Sequence, residues 1–455
     1  MQTNIYAQHS APLDWDERIM ASSPSAALLH PAWVVPARRT FVARFLNAFV
    51  CCTWYMWPSA FRSPSVAKLR AFAGFPKLLD PFEDRDAFDL MYERQCALAR
   101  EGGSGNHQLS QLGVFMVAIA ILVNIRTRKE MASAPLPPPG PPRTRVFIGG
   151  PFRTGTTLLQ RLLSVNAACK SFSLREFRNP IAPGRTPIQG LLSIIRLLAP
   201  HLLSIHPMEI DEPEECIFLL HMSVPLTGLF TVVAPVCEWH QELLPHMPIA
   251  YACYSERLER VAALYASPAQ THLILKCPCH GYFIDALHAS GSGTREQQRN
   301  GERYCMLRTY RRDLVSVAGS LASLMRAMHD AVCVRVDLAA IEEVAVQSVV
   351  MQLGQLRRTN ELAKQDPRVL VIDVDFDDLV KRPSPTLEAV CGLLGLPFDT
   401  QSTAAILAQA EKSRKQKDRY ASYHGWKLQE RSIARLRQCE KEMATLYDPI
   451  KVVRA

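Results

Sequence analysis

Apolar residues in this chain gather into short runs that alternate with stretches of helical spacing. "RVFIGG" (145–150) is β-rich and ends in glycines, and the leucines of "TGTTLLQRLLSV" that follow recur at helical intervals. The same grammar returns at "THLILKC" (271–277), at "RYCMLRTY" (303–310) before the helical "RDLVSVAGSLASLMRAM", and at "VLVIDVD" (369–375) before "DDLVKRP". Buried strands alternating with helices predict an α/β fold, a parallel sheet with helices on both faces.

Upstream the texture differs. Residues 1–132 read as a mostly helical N-terminal extension, 133–144 ("SAPLPPPGPP" within it) as a proline-rich linker, 145–400 as the α/β domain and 401–455 as a C-terminal helical segment. The polar, glycine-punctuated "GSGTREQQRNGER" (291–303) reads as a surface loop. "FLNAFVCCTWYMWPSAF" (45–61) follows Arg38, Arg39 and Arg44. It is shorter than the ~20 apolar residues of a membrane span and contains Pro58, so a buried helix is expected. Weak membrane association through residues 41–61, or a type II anchor over 45–61, is the competing reading. "LGVFMVAIAILVNI" (112–125) is shorter still.

A hydrophobic content of 48% in 455 residues suffices for a large core, and the formal charge of +9 suits an anionic small molecule. No basic run with interleaved aromatics occurs, which excludes the usual nucleic-acid footprint. Thirteen scattered cysteines, many inside apolar runs, read as reduced thiols. With no secretory signal at the start, the expected location is the cytoplasm.

The chemistry concentrates after the first strand. From Gly150 the chain spells G-x-x-x-x-G-T-T, a phosphate-binding loop with Thr156 where a nucleoside triphosphatase carries lysine. Backbone N–H groups and a helix N-terminus attract an anion there. Gly155 permits close approach, Thr154, Thr156 and Thr157 add hydroxyls, and Arg153 supplies a cation with a planar fork. For magnesium the sequence offers only the strand end at Asp373 and Asp375. A nucleotide held without metal needs fixed cations and a good leaving group, and sulfuryl transfer fits that requirement.

Five stretches in order, "GGPFRTGTTLL", "HPMEIDEPEEC", "THLILKCPCHGYFIDAL", "RRDLVSVAGSLASL" and "VDFDDLVKRP…CGLLGLP", resemble the sulfotransferases that use 3′-phosphoadenosine 5′-phosphosulfate (PAPS). The likeness is to the bacterial-type branch, which is similar to tyrosylprotein sulfotransferases, and runs from about Arg145 to Phe398. It implies a P-loop NTPase-like sheet, PAPS as co-substrate and no metal. Arg153, Thr154, Gly155, Thr156 and Thr157 match its 5′-phosphosulfate loop; Arg312 and Ser320 match its 3′-phosphate motif. Phe152 and Leu314 stand where the family has proline, so altered loop geometry rather than lost binding is expected; Arg311 stands where this branch has histidine, a departure in the detail of the 3′ site.

Glu176 in "SLREFRNP" resembles that branch's base, and a salt bridge to Arg175 or Arg178 is its structural alternative. Lys276 resembles the lysine that stabilises the departing oxygen, and His280 is a second base candidate. "HPMEIDEPEEC" reads as a helix start capped by Asp211, or as a substrate-side wall. Lys415, Lys417, Arg419 and Tyr420 form a basic run that either closes over the nucleotide or is solvated. The acceptor class, whether small molecule, glycan or lipid, is not written in these motifs. A kinase-like ATP enzyme and a non-catalytic nucleotide-binding or membrane-associated scaffold are the alternatives.

Overall fold

The structure is a computed structural model that describes residues 34–75, 84–103, 107–135, 137–138, 140–178, 181, 193, 196–206, 208–224, 236–291, 304–311, 313–418 and 426–447. In chain order, β1 (Val34–Pro36), α1 (Phe41–Thr53), α2 (Arg85–Glu101), β2 (Gln108–Leu109) and α3 (Gln111–Ser133) precede the expected first strand, β3 (Thr144–Gly149). Next come α4 (Thr156–Leu163), β4 (Cys169–Ser171), α5 (Leu174–Arg178), α6 (Met247–Tyr265), β5 (His272–Lys276), β6 (Tyr304–Tyr310), α7 (Leu314–Val332), β7 (Cys333–Asp337) and α8 (Leu338–Gln365). The order closes with β8 (Val369–Asp375), α9 (Phe376–Lys381), α10 (Pro383–Leu394), α11 (Thr400–Asp418) and α12 (Glu430–Met443).

The main sheet is parallel, in the order β4-β5-β3-β6-β8. β3 lies at its centre, so it is apolar on both faces. Val146 and Ile148 pack with Leu159 and Leu162 of α4, Ile274, Leu307 and Ile372, while Phe147 points the other way into a core with Tyr251 and Leu258 of α6. Four strands lie where the apolar runs place them. β4 is an addition, too short and polar to register as a run.

A second, antiparallel sheet has the order β1-β7-β2 and joins the N-terminal region to the segment after α7. The helices α2 and α3 share one apolar core with α6 and with Ile217, Leu219 and Leu220. A buried ionic seam crosses it: Asp84 accepts from Arg128 Nη2 at 2.9 Å and from Arg257 Nη2 at 3.0 Å. Removing one member of such a buried set costs about 3–5 kcal/mol, because a charge is left without its partner.

Of the two apolar segments, Gln111–Ser133 is long and apolar enough to cross a membrane, and 56% of its most apolar window is buried inside the protein. The earlier one forms α1 and a short 3₁₀ turn, Trp54–Met56. The expectation of a buried helix fails on one of its faces: Phe41, Phe45 and Phe49 are exposed.

Candidate active site

The loop between β3 and α4 is held in a shape that only certain residues permit. Gly150 has φ +110° and a Cβ there would lie 2.6 Å from the Thr309 carbonyl oxygen; Gly155 has φ +93° and a Cβ would lie 2.7 Å from the Phe376 ring. Between them Arg153 takes φ +67°, the one non-glycine residue in the left-handed region among those described. Such a backbone costs of order 1–3 kcal/mol and is kept only where its surroundings over-determine it.

Those surroundings are visible. Thr154 is buried, its Oγ1 donating to Pro151 O at 2.6 Å and lying 2.7 Å from Thr309 Oγ1. Where the family pattern has proline, Phe152 retains an N–H, and that N–H donates to Gln352 Oε1 of α8 at 2.9 Å. A hydrogen bond thus stands in for the ring. Thr156 and Thr157 open α4, whose first N–H groups face the loop.

Arg153 reaches across the cleft to α7. Its Nε donates to Ser320 Oγ at 3.0 Å and its Nη2 to Ile205 O at 3.1 Å, and no carboxylate pairs with it among the described residues. Burial and the Arg311 charge both depress its pKa, while Glu215 acts the other way. Arg311 lies with its guanidinium 5.2 Å from the centre of the Phe376 ring, the same ring that Gly155 makes room for. The residues expected at the two ends of a bisphosphate therefore touch, through Arg153 and Ser320. Arg312 lies outside the described residues.

The acidic stretch departs from its expected form. Asp211 does not cap a helix: it forms an ion pair with Arg175 at 2.7 Å, and the helix begins later, at Ile217. Residues 213–216 instead run across the strand ends. Ser173 bridges Pro213, Glu214 N donates to Phe172 O at 3.0 Å, and Cys216 N donates to Lys276 O at 3.0 Å. This crossing sets Glu215 on Lys276, with Nζ to Oε1 2.5 Å, one strand from the loop. Lys276 is buried, with the Glu215 carboxylate as its ion-pair partner.

Glu214 is buried beside it. Although burial raises its pKa, the His206 contact at 3.9 Å, the Lys276 charge and the Glu215 N–H hold it at about 2. His206, Glu214 and Glu215 bring donor atoms within 4.8 Å of one another, a set that could hold a cation. Lys276 already supplies one there.

Glu176 sits elsewhere. It belongs to α5, after the edge strand β4, two strands from β3 in the sheet order. Its Oε2 accepts from Ser173 N at 2.7 Å while Ser173 Oγ accepts from Glu176 N at 3.3 Å, the reciprocal pair of a capping box. Its Oε1 binds Lys170 Nζ at 2.7 Å, rather than Arg175 or Arg178. Glu176, Lys170, Arg175, Asp211 and Tyr265 line a cleft of 510 Å³ whose walls do not include the phosphate loop.

His280 is enclosed in the apolar core. Its Nε2 lies 3.1 Å from Cys216 Sγ and its Nδ1 2.8 Å from Tyr251 Oη, and burial lowers its pKa to about 3. Both ring nitrogens thus have partners inside the core. Asp373 receives both bonds of the Arg308 fork, at 2.6 and 2.7 Å, and Asp375 caps α9. Of the C-terminal basic run, Lys415 lies 3.5 Å from Glu411, and Arg419 and Tyr420 lie outside the described residues. Just beyond them Trp426 O packs at Gly319, next to Ser320, pinned by a 3.1 Å bond from its Nε1 to Glu342.

Sequence reasoning gave Glu215 and Arg311 no individual role, and it offered Arg178 only as a salt-bridge partner of Glu176. That last guanidinium lies 4.4 Å from the centre of the Phe218 ring and donates to Asn124 at 3.4 Å. The first two signals were legible only as an acidic run and a departure from a motif.

A glycine-shaped loop at the C-terminal end of a central parallel strand, with fixed cations beside it, gives a P-loop-like α/β fold with a candidate anion site. The sulfotransferase family model matches residues 145–290, from β3 through the helix after β5. Among solved structures, sulfotransferase STF1 from Mycobacterium tuberculosis H37Rv is similar at 20% identity and a TM-score of 0.55, over 78% of this chain and 98% of that one. Sulfotransferase STF9 from Mycobacterium avium is similar at 16% identity and a TM-score of 0.56, over 86% and 97%. No curated protein matches the chain. Residues 145–290 thus match the sulfotransferase family model, and the chain shares its fold with solved sulfotransferases.

Proposed function

We propose that this protein transfers a sulfuryl group from PAPS to a hydroxyl of a small-molecule, glycan or lipid acceptor. The observation that carries this reading is the Arg153–Ser320 contact, which joins the phosphate loop to the helix of the 3′-phosphate motif. PAPS supplies the sulfuryl group and leaves as adenosine 3′,5′-bisphosphate.

The loop N–H groups and Arg153 hold the 5′ end; Arg311, Arg312 and Ser320 hold the 3′-phosphate. Arg153 suits this task because a buried cation without a carboxylate gains more from an arriving phosphate than one already paired. Glu215, rather than Glu176, takes the acceptor's proton as the new O–S bond forms, since it stands beside Arg153 and Lys276. Lys276 donates to the bridging oxygen as the old S–O bond breaks and passes charge to the bisphosphate. Glu214, held ionised, and His206 orient the Glu215 segment.

Calorimetry with adenosine 3′,5′-bisphosphate against ATP–Mg²⁺ tests the donor. The bisphosphate should bind more tightly, and Arg312→Ala should remove about tenfold of that affinity. Equal binding of both ligands, indifferent to the substitution, would overturn the reading in favour of a kinase-like enzyme.

A further inference from the structure

The outer face of α1 is built against the usual rule for a surface helix. Thr40 caps it, accepting from Ala43 N at 3.0 Å, and Ala43 and Val50 bury the inner face against Leu112 and Leu198. On the outer face, four residues apart, Phe41, Phe45 and Phe49 are 82%, 61% and 52% exposed, and Tyr55 and Met56 continue the face at 85% and 83%. An apolar surface of this kind normally marks a contact with something else.

The charge around it points to what. Residues 34–75 contain no aspartate or glutamate and six basic residues, Arg38, Arg39, Arg44, Arg62, Lys68 and Arg70. Arg38, Arg44 and Lys68 are exposed. Arg70 is paired with Asp89, but the side chains of Arg38, Arg44 and Lys68 meet no carboxylate among the described residues. Aromatic side chains that favour the headgroup boundary, beside such cations, match the chemistry of an anionic bilayer.

We infer that α1 docks this protein on an anionic lipid surface, lying in the interface with Phe41, Phe45 and Phe49 inserted and Arg38 and Arg44 at the headgroups. The helix is too short to span and its inner face is already committed to the fold, so it binds in plane. This goes beyond the sulfuryl-transfer reading and does not depend on it.

The test is co-sedimentation of the full chain with vesicles of phosphatidylcholine alone or mixed with phosphatidylserine. Binding should require phosphatidylserine and weaken as salt is raised. Replacing Phe41, Phe45 and Phe49 together by serine should reduce partitioning by more than about tenfold, and Arg38→Gln and Arg44→Gln by about fivefold each. The far-UV circular dichroism spectrum and the denaturant midpoint should stay unchanged in every variant, which shows that the fold is kept. Absence of vesicle binding would overturn the inference, as would binding insensitive to the serine variant. So would a serine variant that merely turns an oligomer into a monomer in ultracentrifugation, since the face would then be covered by a second copy.

Discussion

Glu176 and Glu215 are both glutamates that follow a strand of the same sheet, and their surroundings separate them. Glu176 closes a capping box and binds Lys170 beyond the edge strand; Glu215 binds the buried Lys276, one strand from the loop and within the field of Arg153. A carboxylate serves chemistry through what it faces, and a motif gives its letter without its neighbours. In this chain the turn 213–216 crosses from β4 to the end of β5, and that crossing decides which acid meets the cations.

The largest effect should come from Lys276→Met. Transfer should fall about 10²–10³-fold, the loss seen when one donor to a developing oxyanion is removed, with bisphosphate affinity little changed. A variant within fivefold of the parent enzyme would detach Lys276 from the reaction. Next, Arg153→Ala should weaken bisphosphate binding about 10–100-fold, read by calorimetry, because it removes a charge-assisted fork and not merely a hydrogen bond.

Acidity separates a working site from a packed core. His280 is held near pKa 3 in the fold against an ordinary 6.5, so between these values only the unfolded chain takes the proton. The stability contributed by the neutral, buried ring is present above pH 6.5 and is lost as pH falls toward 3. His280→Gln should therefore reduce the slope of unfolding free energy against pH by about 1.4 kcal/mol per unit in that window, measured by denaturant titration. An unchanged slope would mean that the ring titrates in the fold and is available for catalysis.

The smallest change belongs to Glu176→Gln. Loss of the charged capping partner and of the Lys170 pair should cost about 1 kcal/mol of stability, seen as a lower denaturant midpoint.

Much of this architecture was readable beforehand. β3, β5, β6 and β8 are apolar on both faces and announce themselves as runs, and the loop glycines mark the anion site. β4 is three residues long and half-exposed, and β7 pairs with strands more than 200 residues away, so neither has a local signature. Ser173-x-x-Glu176 carries a capping box in plain letters alongside its likeness to a catalytic motif. The Lys276–Glu215 pair joins positions 61 apart through an irregular turn, and no periodicity foretells it. His280 follows the end of β5 closely, but it lies within the 3₁₀ turn Pro278–Phe283, which folds it inward among Tyr251, Tyr254 and Phe147.

The comparison is settled most directly by sulfur-35 transfer from PAPS, with hydroxyl compounds and water as acceptors, in Glu215→Gln and Glu176→Gln measured side by side at saturating donor. Glu215→Gln should lose transfer by about 10²–10⁴-fold while still binding the bisphosphate, and Glu176→Gln should keep most of it. If Glu176→Gln is the silent enzyme and Glu215→Gln the active one, the placement of the base beside Lys276 is wrong.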